Sequence, residues 1–282
     1  SELLEANRQL TQMNQSLENI NEQLKEEVTE HQSAVEKLRL ADEEMKHIAY
    51  YDPSTQLPNR LCYHKWLAET LQQEHPSDAS GTIMAINLDN LQTVNDVFGH
   101  SYGDAVIQEA AQRISREAGE NSFIAHCGAD EFAAAFPGMV NVEEIDDTAR
   151  RLLTAIRHVQ HFNNITIHVT ASIGIAVYPA HGTSPEELLK NVDNALSSAK
   201  ENGKNQWCSF SDDLRTALYE NVLLTAQLHN AIKKKEFLLY YQPQIEVSSG
   251  RVIGFEALIR WISPELGFIS PGSFIPLAEK RD

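Results

Sequence analysis

The chain is short of cysteine, of positive charge and of long apolar runs. Its three cysteines, Cys62, Cys127 and Cys208, lie far apart and form no CxxC pair. That argues against a disulfide framework and points to reduced thiols in a cytoplasmic protein. Lys and Arg number 23 against 40 Asp and Glu, a net charge of −17. A surface that negative repels phosphate backbones, which sets the chain against sequence-independent nucleic-acid binding; a nucleotide can still bind where a few lysines gather. No apolar run reaches the roughly 18 residues of a membrane span, and no signal-peptide pattern opens the chain. The sequence begins without Met and stops in mid-pattern at Glu279-Lys280-Arg281-Asp282, so it reads as a piece of something longer.

Proline and glycine are missing from residues 1 to 48, where a seven-residue rhythm runs unbroken. One set of positions is Leu3, Leu10, Leu17, Leu24, His31, Leu38 and Met45; the other is Ala6, Met13, Ile20, Glu27, Ala34, Ala41 and Ile48. Only Glu27 and His31 break the apolar seam. The pattern predicts a parallel coiled-coil dimer about 70 Å long, which would carry torsion from an upstream sensory domain. The alternative is an amphipathic helix packed on its own domain.

Residues 49 to 210 alternate strand-like and helix-like segments. Asp52-Pro53-Ser54-Thr55 predicts a turn and cap, with helix from Asn59 to Gln73 and an apolar strand from Gly81 to Leu88. After a loop, helix is expected from Asn95 to Glu117, then a hairpin from Phe123 to Phe136 centred on Gly128-Ala129. Helix follows over Val142 to Val159 and strand over Ile165 to Tyr178. Ser184, Pro185 and Glu187 form the opening of a helix that Gly203 stops. The order implies α+β, an antiparallel sheet covered by helices. Residues 211 to 282 read as a helix with leucines on one face, two strands from Phe237 to Ile245 and Val252 to Trp261, and the start of a helix at Ser273. The HxxH at His158 to His161 has no acid partner motif and reads as a helix end.

Five segments occur in order at set spacing: DPSTQLPNR (52 to 60), NLDNLQTVNDVFGHSYGD (87 to 104), CGADEF (127 to 132), TASIGIAVYP (170 to 179) and DNALSSAKENGKN (193 to 205). Together they make residues 49 to 210 resemble the GGDEF domain of diguanylate cyclases. YYQPQIE (240 to 246), GFEALIRWISPELGFISP (254 to 271) and FIPLAE (274 to 279) resemble the opening of an EAL domain. The resemblance implies a nucleotidyl-cyclase-like sheet with flanking helices, then the first strands of an incomplete (β/α)8 barrel. About 46 residues follow Phe237, whereas a closed barrel needs about 250.

The GGDEF resemblance implies that two GTP molecules are joined to cyclic di-GMP, with Mg²⁺ neutralising phosphate charge. Its metal positions fall on Asn87, the backbone carbonyl of Leu88, and Asp130. Asn87 stands where the family has a carboxylate. Its amide oxygen brings no charge, and one unit charge at 4 Å is worth about 4 kcal/mol at an effective dielectric near 20. Asp89 would point to the same side of a continuing strand and is the one candidate for rescue. Leu91 and Gln92 replace the usual Phe and Lys, and Ala129 replaces the second glycine of GGDEF, where tight turns favour φ > 0.

Asn95 and Asp104 match the guanine-reading pair, and Lys200 and Lys204 the basic pair on the triphosphate. Glu131 stands at the position that stabilises the metal or the attacking hydroxyl, here as a vestigial catalytic group. The RxxD of the family's inhibitory site is absent from Gly119 to Ser122. In the EAL part, Glu256 matches a ligand for Mg²⁺ or Mn²⁺, Gln242 a substrate contact and Arg260 a phosphate contact. The expectation is a degenerate GGDEF domain that binds GTP, with magnesium held weakly, and regulates an EAL cyclic di-GMP phosphodiesterase. A weak cyclase and a non-catalytic dimerisation scaffold are the alternatives.

Overall fold

The computed structural model describes residues 2–72, 80–157, 160–162 and 165–279. Contacts divide the chain into two compact units, Ser1–Cys208 and Ser209–Asp282.

The first unit opens with a single 49-residue helix, α1 (Glu2–Tyr50). Met13, Leu17, Leu24, Leu38, Met45 and Ile48 are each more than half exposed, so these described positions of the apolar stripe are not packed on their own domain. The chain leaves α1 through a turn built on Asp52. Its Oδ1 accepts from the N–H and hydroxyl of both Ser54 and Thr55, at 2.6–3.1 Å. Asn59 then does two jobs. Its Oδ1 caps α2 (Arg60–Leu71) by accepting the Cys62 N–H, and its Nδ2 donates back to the Ala49 carbonyl at 2.8 Å.

Strand β1 (Gly81–Leu88) is followed at once by α3 (Leu91–Phe98) and α4 (His100–Ala118). The expected loop and single helix are thus a two-residue turn and two helices. Leu91 and Val94 are buried in the core, so helix begins as soon as the strand ends, and Gly99 at φ 92 breaks it. β2 (Phe123–Gly128) and β3 (Glu131–Pro137) form the hairpin. A register shift at Cys127 adds one residue to β2, so the loop is Ala129-Asp130, one residue later than expected. Then come α5 (Val142–Arg157), the small ribbon of β4 (Gln160–Phe162) and β5 (Ile165–Ile167), β6 (Ala171–Tyr178), α6 (Pro185–Glu201) and β7 (Trp207–Ser209). The final residues expected in α5 and half of the HxxH lie outside the described residues.

The sheet order is β2-β3-β1-β6-β7, and β1 runs antiparallel to both β3 and β6. Period-two alternation puts Met84, Ile86 and Leu88 into the main core with α4 and α5. Ala85 lines a cavity with residues of α2 and α6 instead, and Asn87 one with Lys200 of α6. α6 can lie flat on β6 because residue 174 is glycine: a Cβ there would stand 2.2 Å from the Val192 carbonyl and 2.4 Å from the Leu196 nitrogen. That close approach sets the height of Lys200 in the last turn of α6.

The second unit contains α7 (Asp212–Lys234), β8 (Phe237–Ile245), β9 (Val252–Ser263), β10 (Gly267–Ile269) and α8 (Pro271–Glu279), with strands in the order β10-β9-β8. α8 starts ahead of Ser273, at a proline, which suits the first helical position. Its small core is Ala231, Trp261, Ile269 and Phe274. The rings of Phe237, Trp261 and Phe274 stand 5.5–5.6 Å apart, and Trp261 Nε1 donates to Glu236 at 2.9 Å.

Burial pushes the Asp52 carboxyl up, but the donors of Ser54 and Thr55, with His126, outweigh it and hold the carboxyl at about 2. An unfolded Asp titrates near about 3.9. The depressed value means stability that is present above the unfolded value and lost as pH falls toward the folded one. Asp52→Asn is expected to lower the unfolding free energy by about 2 kcal/mol at pH 7. In urea titrations that deficit should shrink between pH 4 and pH 2.

Candidate functional site

The end of β1 and the tip of the β2–β3 hairpin meet beside the last turn of α6. Asn87 is 4% exposed and sits opposite Glu131 on β3 and Ser172 on β6. The Leu88 N–H donates to the Asp130 carbonyl at 2.9 Å, which pins the hairpin tip to the strand end. A cavity of about 330 Å³ opens there, and Asn87, Asp130, Gln92, Lys200 and Lys204 all line it. The sequence-predicted metal and phosphate positions are therefore brought together.

Asp89 also reaches this cavity, but both its oxygens are engaged. Oδ1 accepts from Ser172 Oγ at 2.8 Å, and Oδ2 accepts from Thr170 Oγ1 at 2.7 Å and the Asn205 N–H at 3.1 Å. It serves as a structural carboxylate, which weakens the case that it acts as a metal ligand in place of Asn87. Lys204 adopts φ 62 in the turn after α6, and its Nζ donates to Asn90 Oδ1 at 2.7 Å. Among the described residues, no group of three or more His, Cys, Asp and Glu could hold a metal ion. Asp130 and the Asn87 amide, which line the cavity, suit a divalent ion carried largely by nucleotide phosphates, while Leu88, whose carbonyl the sequence reading adds, is not among its lining. They do not suit an ion seated by protein alone.

Asn95 and Asp104 are not at this cavity's lining; they belong to the α3–α4 corner. Gly99 turns the chain so that Asn95 rests on Gly103, one residue before Asp104. A Cβ on Gly103 would stand 1.9 Å from Asn95 Oδ1. That oxygen is buried without a hydrogen-bond partner. Asp104 is exposed on α4.

Glu131 faces a neighbouring cavity of about 340 Å³ between α2 and α6, together with Arg60, His64, Asp193 and Lys200. Arg60 Nη2 pairs with Glu131 Oε2 at 2.6 Å, and Arg60 Nε donates to the Cys127 carbonyl at 3.2 Å. Burial and then Glu131 raise the Asp193 carboxyl, against Arg60, His64 and Lys200. Sequence reasoning gave Arg60 no role, although it closes the first of the quoted segments. Ala129 takes φ 50, in the left-handed region, beside Gly128 at φ 102.

In the second unit, Gln242 and Glu256 are directly opposed across β8 and β9, and Leu238 opposes Arg260. Alternation therefore sets Gln242, Glu256 and Arg260 on one face of the sheet. The Arg260 guanidinium lies 5.6 Å over the Tyr240 ring.

The family model described as diguanylate cyclase, GGDEF domain, matches residues 49–206. The chain belongs to the GGDEF-domain family. An EAL-domain model matches residues 225–282. The GGDEF chain is 35% identical over 246 residues to the bifunctional diguanylate cyclase/cyclic di-GMP phosphodiesterase MucR of Pseudomonas aeruginosa, covering 86% of this chain and 35% of that protein. It spans about a third of the length of the curated relatives it matches. Its fold is similar to the GGDEF domain of PA1120 from Pseudomonas aeruginosa, with TM-score 0.57 and 26% identity over 60% of this chain and 99% of that one. The coiled coil and GGDEF domain of DgcB from Caulobacter crescentus, solved in complex with c-di-GMP, gives TM-score 0.61 over 66% of this chain and 98% of that one. At 24% identity that likeness speaks to fold alone. No described helix of this GGDEF chain is long and apolar enough to cross a membrane.

Gly103→Ala places a methyl where the Asn95 amide now rests. The expected result is a loss of roughly 1–3 kcal/mol in unfolding free energy, read by urea denaturation. Asn95→Ala in the same background should restore most of that loss.

Proposed function

We propose that this chain is part of a cyclic di-GMP signalling protein in which the GGDEF domain binds GTP as a regulatory module for an EAL phosphodiesterase. The observation that carries the reading is the neutral amide of Asn87 at the end of β1, which lines one cavity with Asp130. Asp89 is bound up in its own hydrogen bonds, and Asp96, exposed on α3, lines the cavity two residues beyond Val94 rather than at the strand end. The cavity keeps its cations, Lys200 and Lys204, while Gln92 supplies none.

In this reading the chain's own groups bind and orient rather than react. Asn95 Nδ2 donates to the guanine carbonyl, and the Asp104 carboxylate accepts from guanine N–H groups. Lys200 meets the triphosphate, and Lys204 joins it by exchanging Asn90 for a phosphate oxygen. Glu131 stays with Arg60. A divalent ion arriving with the nucleotide would neutralise phosphate charge. The exposed stripe of α1 supports homodimerisation through a coiled coil, with an upstream sensory domain turning the shaft. Gln242, Glu256 and Arg260, sharing one face, support cyclic di-GMP as the substrate of the EAL domain, with Mg²⁺ or Mn²⁺ at Glu256. The reading places the protein in the cytoplasm.

Calorimetry with GTP and magnesium, paired with product analysis, tests this. The wild type should bind GTP without forming cyclic di-GMP. Asn87→Asp should lower the magnesium concentration needed for binding by about a hundredfold and gain turnover. No binding at millimolar GTP would sink the reading and leave a dimerisation scaffold. Turnover by the wild type that disappears in Asp130→Ala would establish a weak cyclase instead.

A further inference from the structure

His126 is 5% exposed at the inner end of the hairpin. Its Nδ1 lies 3.2 Å from Asp52 Oδ1, and its Nε2 lies 3.2 Å from the Ala129 carbonyl oxygen. Both neighbours are acceptors. The Asp52 contact is short but lacks hydrogen-bond alignment, so Nδ1 has no hydrogen-bond partner and the attraction there is between charges. Either neutral tautomer turns one nitrogen lone pair toward an oxygen. The imidazolium alone presents N–H at both ends, and at this burial water does not relieve the conflict.

The two ends of the ring belong to different parts of the fold. Asp52 lies just past the end of α1, in the turn whose residue Asn59 reaches back to Ala49. The backbone on the ring's other side is tied to the same turn, because the His126 N–H donates to the Pro58 carbonyl at 2.9 Å. Ala129 holds the left-handed φ of 50, a conformation that costs an L-residue roughly 1–2 kcal/mol. Its carbonyl is the atom that His126 grips.

We propose that His126 is a proton-operated clamp that fastens the Ala129–Asp130 turn to the base of the long helix α1. Protonated, the ring is attracted to Asp52 and donates to Ala129, and the strained turn is held. Deprotonated, the ring keeps one N–H; the Asp52 anion draws it to Nδ1, so Nε2 turns its lone pair toward the Ala129 carbonyl and the turn bearing Asp130 is free to relax. Imidazole is the side chain that changes charge between about pH 5 and 8, so the clamp holds at the acid end and loosens as pH rises.

The surrounding groups leave this change to the ring. From the turn, Asp52 is an anion throughout that range, its carboxyl held at about 2. From α2 and β3, Arg60 and Glu131 neutralise each other at 2.6 Å. From β2, the Cys127 thiol is pushed up to about 11 by burial and stays neutral. From β3, the Phe132 ring packs 4.9 Å from the imidazole. From α1, His47 is stacked on Tyr51 at 4.8 Å and is controlled for by the variants below.

The test uses the full 282-residue chain without nucleotide, so its outcome is separate from GTP binding. Ring signals are followed by NMR, and exchange of the Ala129, Asp130 and Glu131 amides is measured at pH 6 and pH 8, corrected for intrinsic exchange. In the wild type the ring should titrate in this interval and corrected exchange should rise about tenfold. His126→Arg, a permanent cation, should stay slow at both pH values; His126→Gln should be fast at both. Asp52→Asn keeps the ring but removes its anion, so the rise should occur at lower pH. The proposal is overturned by a ring that does not titrate between pH 5 and 8. The same pH response in the wild type and His126→Arg, or an Asp52→Asn profile matching the wild type, would also overturn it.

Discussion

A buried carboxylate holds the working end of the sheet together. Asp89 accepts from Thr170 and Ser172 beside β6 and from the backbone of Asn205 beyond α6. A charge taken out of water is tolerated only when its lone pairs are filled. Here the three donors come from two segments, Thr170 with Ser172 and the turn at Asn205, both far from Asp89 in sequence, so the group is satisfied only when both are in place. That requirement fixes the end of β1, the approach of β6 and the turn carrying Lys204 in one step. Asn87, Asn90 and the hairpin tip inherit their positions from it.

Two glycines set the distances around that anchor. Gly174 lets the α6 backbone lie against β6, and Gly103 lets Asn95 lie against α4. In both places the space for a Cβ is already filled, by backbone in one case and by the amide in the other. The site is thus defined by close approach as much as by charge. The hairpin adds a third constraint, since the extra residue at Cys127 turns the strand before Ala129 enters its left-handed conformation.

Much of this was legible in the chain. β1 was read with its observed ends because an apolar run bounded by Gly81 and Asp89 has one natural length. The hairpin was legible too, but its turn was misplaced by one residue, because a bulge leaves no mark in the hydrophobic pattern. The single helix expected from Asn95 was two, because a glycine's φ is chosen by what its neighbours pack against. The Asn87, Asp130, Lys200 and Lys204 constellation was found by motif register, and these residues line one cavity. Arg60 and His126 were missed as partners of the hairpin. Their significance lies in contacts with Glu131, Asp52 and Ala129, and nothing in their local sequence announces those distances.

By itself the sequence determined the periodicities, the caps, the family and the absence of a charge at position 87. Each is a property of neighbouring residues or of residue type, and survives without coordinates. Only the tertiary structure decided which carboxylates are engaged in structural hydrogen bonds, and which acceptors surround His126. Those outcomes depend on side chains brought together from segments tens of residues apart, where burial turns a hydrogen bond from an option into a requirement.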